Sequence, residues 1–206
     1  MKQTHYTHSI VMAGTLIITA LFSSCAKYTP HNFHQPIGVR QEQQRVTLVA
    51  SALDENDCKY YFSRKVIAKG YQPIQLMIRN DSDKTYVLDG QSIDLQLVDK
   101  SFIAKELHLD VAHRVISWGI AGLFLWPFII PAAVEGVKAT SANKRLSIDF
   151  NDRAIDNDSY ITLAPRMALN KVMFVRYENF APEFTVTLND KYSKDSLNFF
   201  VEVAGK

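Results

Sequence analysis

Cysteine is nearly absent from this chain. Its 206 residues include two, Cys25 and Cys58. Cys25 closes an N-terminal export signal, so Cys58 is left as the one free thiol and an internal disulfide is excluded. An excess of one charge is missing as well. Lys and Arg number 23 against 21 Asp and Glu, a net charge of +2, which falls to +1 once Lys2 is removed. That balance supplies no clustered basic face, so nucleic acid is not expected as a partner. Internal repeats and low-complexity tracts are lacking, which excludes a solenoid. So are the signatures of common catalysts: no Gly-x-Ser-x-Gly elbow, no His-Glu-x-x-His and no phosphate-binding Walker loop. Beyond residue 45 only His108 and His113 remain as histidine bases. These absences point away from an enzyme and from any cofactor.

What is present begins with a run of apolar residues. Val115 to Val134, VISWGIAGLFLWPFIIPAAV, is twenty residues without a charge or a histidine, and it holds both tryptophans of the chain. Pro127 and Pro131 interrupt it as a helix. The twelve residues before Pro127 would make a helix of only ~18 Å, against about 30 Å of bilayer hydrocarbon. A single crossing would also put the two β-rich halves of the chain on opposite sides of a membrane, where they could not share a core. Three readings follow: a helix packed on its own domain, a hairpin docked on membrane or partner, and a span. In the docked reading Trp118, Trp126, Pro127 and Phe128 make the contact, since indole rings suit a half-wet interface. Gly119, Ala121 and Gly122 let another backbone approach closely, which suits self-association through 115–134.

The N-terminus carries an address. Lys2 is followed by an apolar region, Ile10 to Phe22, of 13 residues, shorter than a membrane span and typical of a secretory signal. It ends in Leu21-Phe22-Ser23-Ser24-Cys25. This resembles the lipobox of bacterial lipoproteins, although Phe22 stands where that pattern has leucine. The resemblance implies cleavage before Cys25, fatty acylation of its sulfur and anchorage of the mature 182 residues in a lipid bilayer. Two or more acyl chains hold a protein firmly where one does not. Ala26, in place of aspartate after the cysteine, implies the outer membrane by the sorting rule of the same class.

The remainder divides into a flexible tether over 25–45 and a domain over 46–206 with a helical and apolar insertion at about 101–145. His31 and His34 are expected as solvated tether residues. Val46–Ala52 is a β-prone run. Asp54 is placed to cap a helix whose face is Cys58, Tyr61, Phe62 and Val66, with Gly70 as its stop. Cys58 is expected to be buried on that face, with an intermolecular disulfide as the sharper alternative. Ile74, Leu76 and Ile78 alternate as a half-buried strand. Asn80–Asp83 turns the chain, Tyr86–Leu88 returns, Asp89-Gly90 turns again, and Ile93, Leu95 and Leu97 alternate. This segment resembles the B–C–D region of immunoglobulin-like envelope domains. The resemblance implies a mainly β fold with helical insertions (α+β), an immunoglobulin-like β-sandwich.

Ser101 is placed to cap a helix over 101–114. Its His108, Asp110 and His113 form the most metal-like cluster, yet residues five apart lie about 140° apart on a helix, so no metal site is expected. Residues 135–158 read as a loop and a short polar helix, and pairs such as Asp81/Asp83 and Asp149/Asp152 as turn residues. Strands resume at Tyr160–Leu163, Lys171–Tyr177, Phe184–Leu188 and Leu197–Val203. The functional expectation is a non-enzymatic, lipid-anchored envelope protein acting as a structural or protein-interaction module. An envelope protein is its unidentified partner, and the apolar insertion adds a contact to membrane or partner. The alternatives are a membrane-perturbing or pore-forming effector and an envelope hydrolase.

Overall fold

The computed structural model describes residues 28–108 and 129–203, with side chains over 28–108 and 140–203. Residues 28–108 and 144–203 belong to one compact unit, and 129–143 to another. The larger unit is mainly β. Nine strands follow in order: β1 (Arg40–Gln43), β2 (Val46–Ala52), β3 (Tyr71–Asn80), β4 (Tyr86–Ile93), β5 (Ala154–Ile155), β6 (Tyr160–Leu163), β7 (Ala168–Arg176), β8 (Glu183–Asp190) and β9 (Ser196–Glu202). Three helices accompany them: α1 (Glu55–Phe62), α2 (Lys100–Glu106) and α3 (Ile129–Arg153).

The strands build two sheets, ordered β1-β2-β3-β7-β5 and β6-β4-β8-β9. All pairs are antiparallel except β5 with β7. Period-two alternation explains the packing between them. Leu48, Ile74, Leu76, Ile78 and Met173 from the first sheet meet Tyr86, Leu88, Val186, Leu188 and Phe199 from the second, all buried in one core. The alternating runs at 46–52, 74–78, 184–188 and 197–201 therefore form strands where the sequence places them.

The first sheet is buried on its other face too. Phe174, fully buried on β7, lies between Phe62 of α1 and Phe150 of α3, with ring centroids 5.7 and 5.1 Å away. Gln75 is buried rather than half-solvated, and its amide donates to the His34 carbonyl at 2.6 Å and to Asn170 Oδ1 at 2.9 Å. Three layers result: the four-stranded sheet, the five-stranded sheet, and a cover made by α1, the C-terminal half of α3 and the segment after Tyr28.

That segment corrects the expected tether. From Tyr28 onward it is packed on the domain, and Arg40–Gln43 pairs with β2. His31 stacks on Tyr60 with centroids 4.3 Å apart, and Phe33 meets Tyr61 edge-on at 5.0 Å. Other local expectations shift as well. Asp54 caps α1 through a full capping box with Asp57, but α1 stops at Phe62, where Ser63 takes the left-handed conformation. Gly70 (φ 86°) ends the separate 3-10 turn Ile67–Lys69. Asp89-Gly90 does not turn the chain. β4 runs through it with a bulge, and a Cβ on Gly90 would sit 1.8 Å from the Asp156 carbonyl oxygen. Of the run at 93–97, Ile93 ends β4 and Leu97 makes one isolated bridge to Val175, so no separate strand forms there. Asp99, not Ser101, caps α2 by accepting from the Phe102 amide at 2.6 Å.

In place of the loop and short polar helix expected over 135–158, α3 continues unbroken to Arg153. Pro131 sits in the first turn of that helix, where its missing N–H has no intrahelical partner to lose. Asp149 and Asp152 are accordingly helical residues, not turn residues.

The turn after β3 is built by one side chain. Asn80, fully buried, donates to the carbonyls of Lys84 (2.8 Å), Ala164 (3.0 Å) and Leu163 (3.2 Å), while its Oδ1 accepts from the Ser82 amide and hydroxyl. It thereby ties β3, the start of β4 and the end of β6 together. Removing it strands buried carbonyls, each of which costs about 1–3 kcal/mol when unpaired. Asn80→Ala is expected to lower unfolding stability by about 3 kcal/mol, measured by urea titration with an unchanged slope; a loss below about 1 kcal/mol would refute the role.

Candidate functional site

The side chains expected to carry function, Cys25, Trp118, Gly119, Gly122, Trp126, Pro127 and Phe128, lie outside the described residues. What the structure shows is where the larger unit joins the chain that carries them: before Tyr28, after His108 and before Lys144. These places adjoin. Arg64 links them: its guanidinium lies 5.6 Å from the centre of the Tyr28 ring, and its Nε donates to the Leu107 carbonyl at 2.9 Å. One residue on, His108 Nε2 is 2.9 Å from the Ser147 hydroxyl on α3. Tyr28 in turn donates its hydroxyl to Asp149, one turn of α3 from Arg153.

The clamp on Tyr28 is polar and buried. Arg153 Nη1 donates to Asp149 Oδ2 at 3.0 Å and Nη2 to the His31 carbonyl at 2.7 Å, while the guanidinium lies 4.0 Å from the centre of the Phe33 ring. Tyr28 is 3% exposed. Burial first, and then the bond to the Asp149 carboxylate, hold its phenol well above the ordinary tyrosine range, so it stays a neutral donor. This clamp is not legible in the sequence, because Tyr28, His31 and Phe33 follow no periodicity and their partners in it, Asp149 and Arg153, lie more than a hundred residues away.

His108 and Ser147 resemble a base beside a nucleophile. The surroundings argue against catalysis. Ser147 lies inside α3, whose backbone N–H groups are committed to the helix, so none is placed to stabilise an oxyanion. The imidazole is held below its ordinary value, by burial first and then by Arg64 and Lys105. Asp110 and His113 lie outside the described residues. Among the described residues no group of His, Cys, Asp and Glu is placed to hold a metal ion.

Cys58 is fully buried on α1. Burial, with the carboxylates of Glu55, Asp57 and Asp54, pushes its thiol up to about 12. That matches a core cysteine and removes the intermolecular disulfide from consideration, since the thiolate is the reactive form.

A shallow groove of about 610 Å³ lies at the β4 bulge, lined by Ser92, Asp94, Gln96, Asn179 and Thr187 among others. Within it Asn179 donates to Gln96 at 2.8 Å, and Ser92 donates to the Thr187 carbonyl at 2.8 Å.

The pairing of β3 with β7 bears on the apolar stretch. Tyr71–Asn80 precedes it and Ala168–Arg176 follows it, yet the two are hydrogen-bonded along nine residue pairs. That pairing requires β3 and β7 to lie on one side of any membrane, which a single crossing between them would prevent. No described helix is long and apolar enough to cross a membrane. The chain matches no known family model, no characterised protein and no solved structure.

Two outcomes follow. In the folded protein Cys58 is expected to resist an aromatic disulfide reagent at pH 8 and to react fully on adding denaturant, read as released thiolate absorbance in a Cys25→Ser chain; rapid reaction of the folded protein would contradict its burial. Because the pKa of His108 is depressed on folding, the unfolded chain binds the proton more readily. Its contribution is therefore intact above the ordinary histidine value of about 6.5 and lost as pH falls through it. Denaturation midpoints measured from pH 7.5 to 5 are expected to fall less steeply for His108→Gln than for the parent chain.

Proposed function

We propose that this protein is a bacterial lipoprotein whose β-sandwich serves as a structural or protein-interaction module in the cell envelope. The observation that carries the reading is the sequence Leu21-Phe22-Ser23-Ser24-Cys25 behind a 13-residue apolar region. A cut before Cys25 removes none of the described sandwich, whose first residue is Tyr28.

We read the sandwich as immunoglobulin-like. β2, β3 and β7 take the places of strands A, B and E, and β6, β4, β8 and β9 those of C′, C, F and G. The insertion then falls between C and C′. β1 and β5 extend the first sheet, and the helical cover on that sheet is an addition to the plain sandwich. A non-enzymatic role is supported by the helical setting of Ser147 and the lack of catalytic motifs in the sequence. The address is supported by Ala26, which favours the outer membrane. The envelope partner is an open identity within this proposal.

Mass spectrometry of the mature N-terminus tests the anchor directly. The expected result is a fragment beginning at Cys25 and carrying fatty acyl mass, with Cys25→Ser moving the protein from the membrane fraction to the soluble fraction. A mature N-terminus elsewhere, or an unmodified Cys25, would sink the reading.

A further inference from the structure

We infer that the end of the sandwich around Arg64 is a bilayer-facing surface, held flat against anionic headgroups by a lipid anchor that has almost no slack. The inference rests on acylation of Cys25 as proposed above and adds the orientation and the contacting face. Its first support is covalent. Only Ala26 and Lys27 separate Cys25 from Tyr28, and Tyr28 is fixed in the domain by Asp149, Arg153 and Arg64. Three residue steps reach at most about 11 Å. An acyl group at Cys25 therefore brings this end of the domain to the headgroup layer, whatever conformation the two linking residues take.

The second support is what stands at that end. Lys65 follows Arg64 and is exposed; Lys105 faces His108, and Lys144 and Arg145 are exposed one turn before Ser147 and Asp149. Among the described side chains of α2 and α3 the acids are Glu106 and Asp152, which are exposed, and Asp149, already held by Tyr28 and Arg153. Two apolar side chains rise among them: Phe102, one turn before Lys105, is 41% exposed, and Ile148 is 59% exposed. Basic residues around exposed apolar ones are the composition that adsorbs to an anionic bilayer, where each nearby cation adds attraction.

The opposite end supplies the control. β3 runs from Tyr71, beside Val66, to Asn80, about 30 Å away at strand rise. There Asn80 binds Lys84, which pairs with Asp190 and Asp195 around the turn bearing Tyr192, itself 80% exposed.

The experiment places a fluorophore on Lys65→Cys, Arg145→Cys or Tyr192→Cys in the full, acylated chain; buried Cys58 stays unlabelled. Each is reconstituted into phosphatidylcholine vesicles containing phosphatidylglycerol and a headgroup-borne quencher. The expected result is quenching several-fold stronger at 65 and 145 than at 192. Inserting about ten Gly/Ser residues between Lys27 and Tyr28, which adds ~17 Å of mean reach, should erase that contrast while the protein still sediments with the vesicles. Equal quenching at all three positions, on a chain whose Cys25 carries acyl mass, overturns the inference and leaves the lipoprotein reading standing. An unacylated Cys25 overturns both, because the short anchor is then absent.

Discussion

The burial of Phe174 is the constraint on which the rest of this structure depends. It points away from the core between the two sheets, yet it is fully buried, so something must cover the outer face of the five-stranded sheet. One element is too small to do it. Phe62 comes from α1, Phe150 from the far end of the insertion, and Phe33 closes on Phe62 at 6.1 Å from the N-terminal side. An exposed phenylalanine face of that size would cost on the order of 2 kcal/mol per side chain. The same cover brings Arg153 to Phe33 and Asp149 to Tyr28, so the polar clamp is a consequence of the aromatic packing.

The strands were legible because their alternation has period two and one face is apolar. Ile74, Leu76 and Ile78, and again Phe184, Val186 and Leu188, are buried on one side just as their spacing implies. The rule fails where both faces are buried. Gln75 reads as a solvent residue and is instead a buried donor to the His34 carbonyl; Val172 and Phe174 read only as part of a generally apolar run. The packed segment after Tyr28 was illegible for a different reason. Its contacts are made by single residues of a Pro-containing, polar stretch, each to a distant partner. Asp54 was readable as a cap since its partner Asp57 is local; Asp99 and Ser101 both qualify locally, and their mutual bond at 2.5 Å leaves Asp99 facing the Phe102 amide.

The candidate site divides the same way. Cys25 is recognised from adjacent residues, and nothing about it needs a fold. The end of the domain around Arg64 is assembled from positions 28, 64, 107–108 and 144–149, none of which signals the others in sequence. Beyond Val134 the polar composition suggested a loop and a short helix rather than the length of α3. Among its described side chains the buried apolar ones are Ala142, Leu146 and Phe150, with Lys144, Arg145 and Ile148 left outside, a stripe too narrow to mark a long helix.

This arrangement explains how a sandwich tolerates so long an interruption. β3 and β7 must pair across roughly ninety residues of sequence, but the cost of closing a loop grows only with the logarithm of its length. His108 and Ser147 meet at 2.9 Å, so the insertion leaves and returns through neighbouring points and imposes no strain on the sheets between. An insertion clasped at its base has both ends on one side of any membrane. That constraint weighs against a single crossing by the apolar run. Under the proposed acylation of Cys25 the same face would lie beside lipid, and contact with the bilayer would be a matter of reach rather than of crossing.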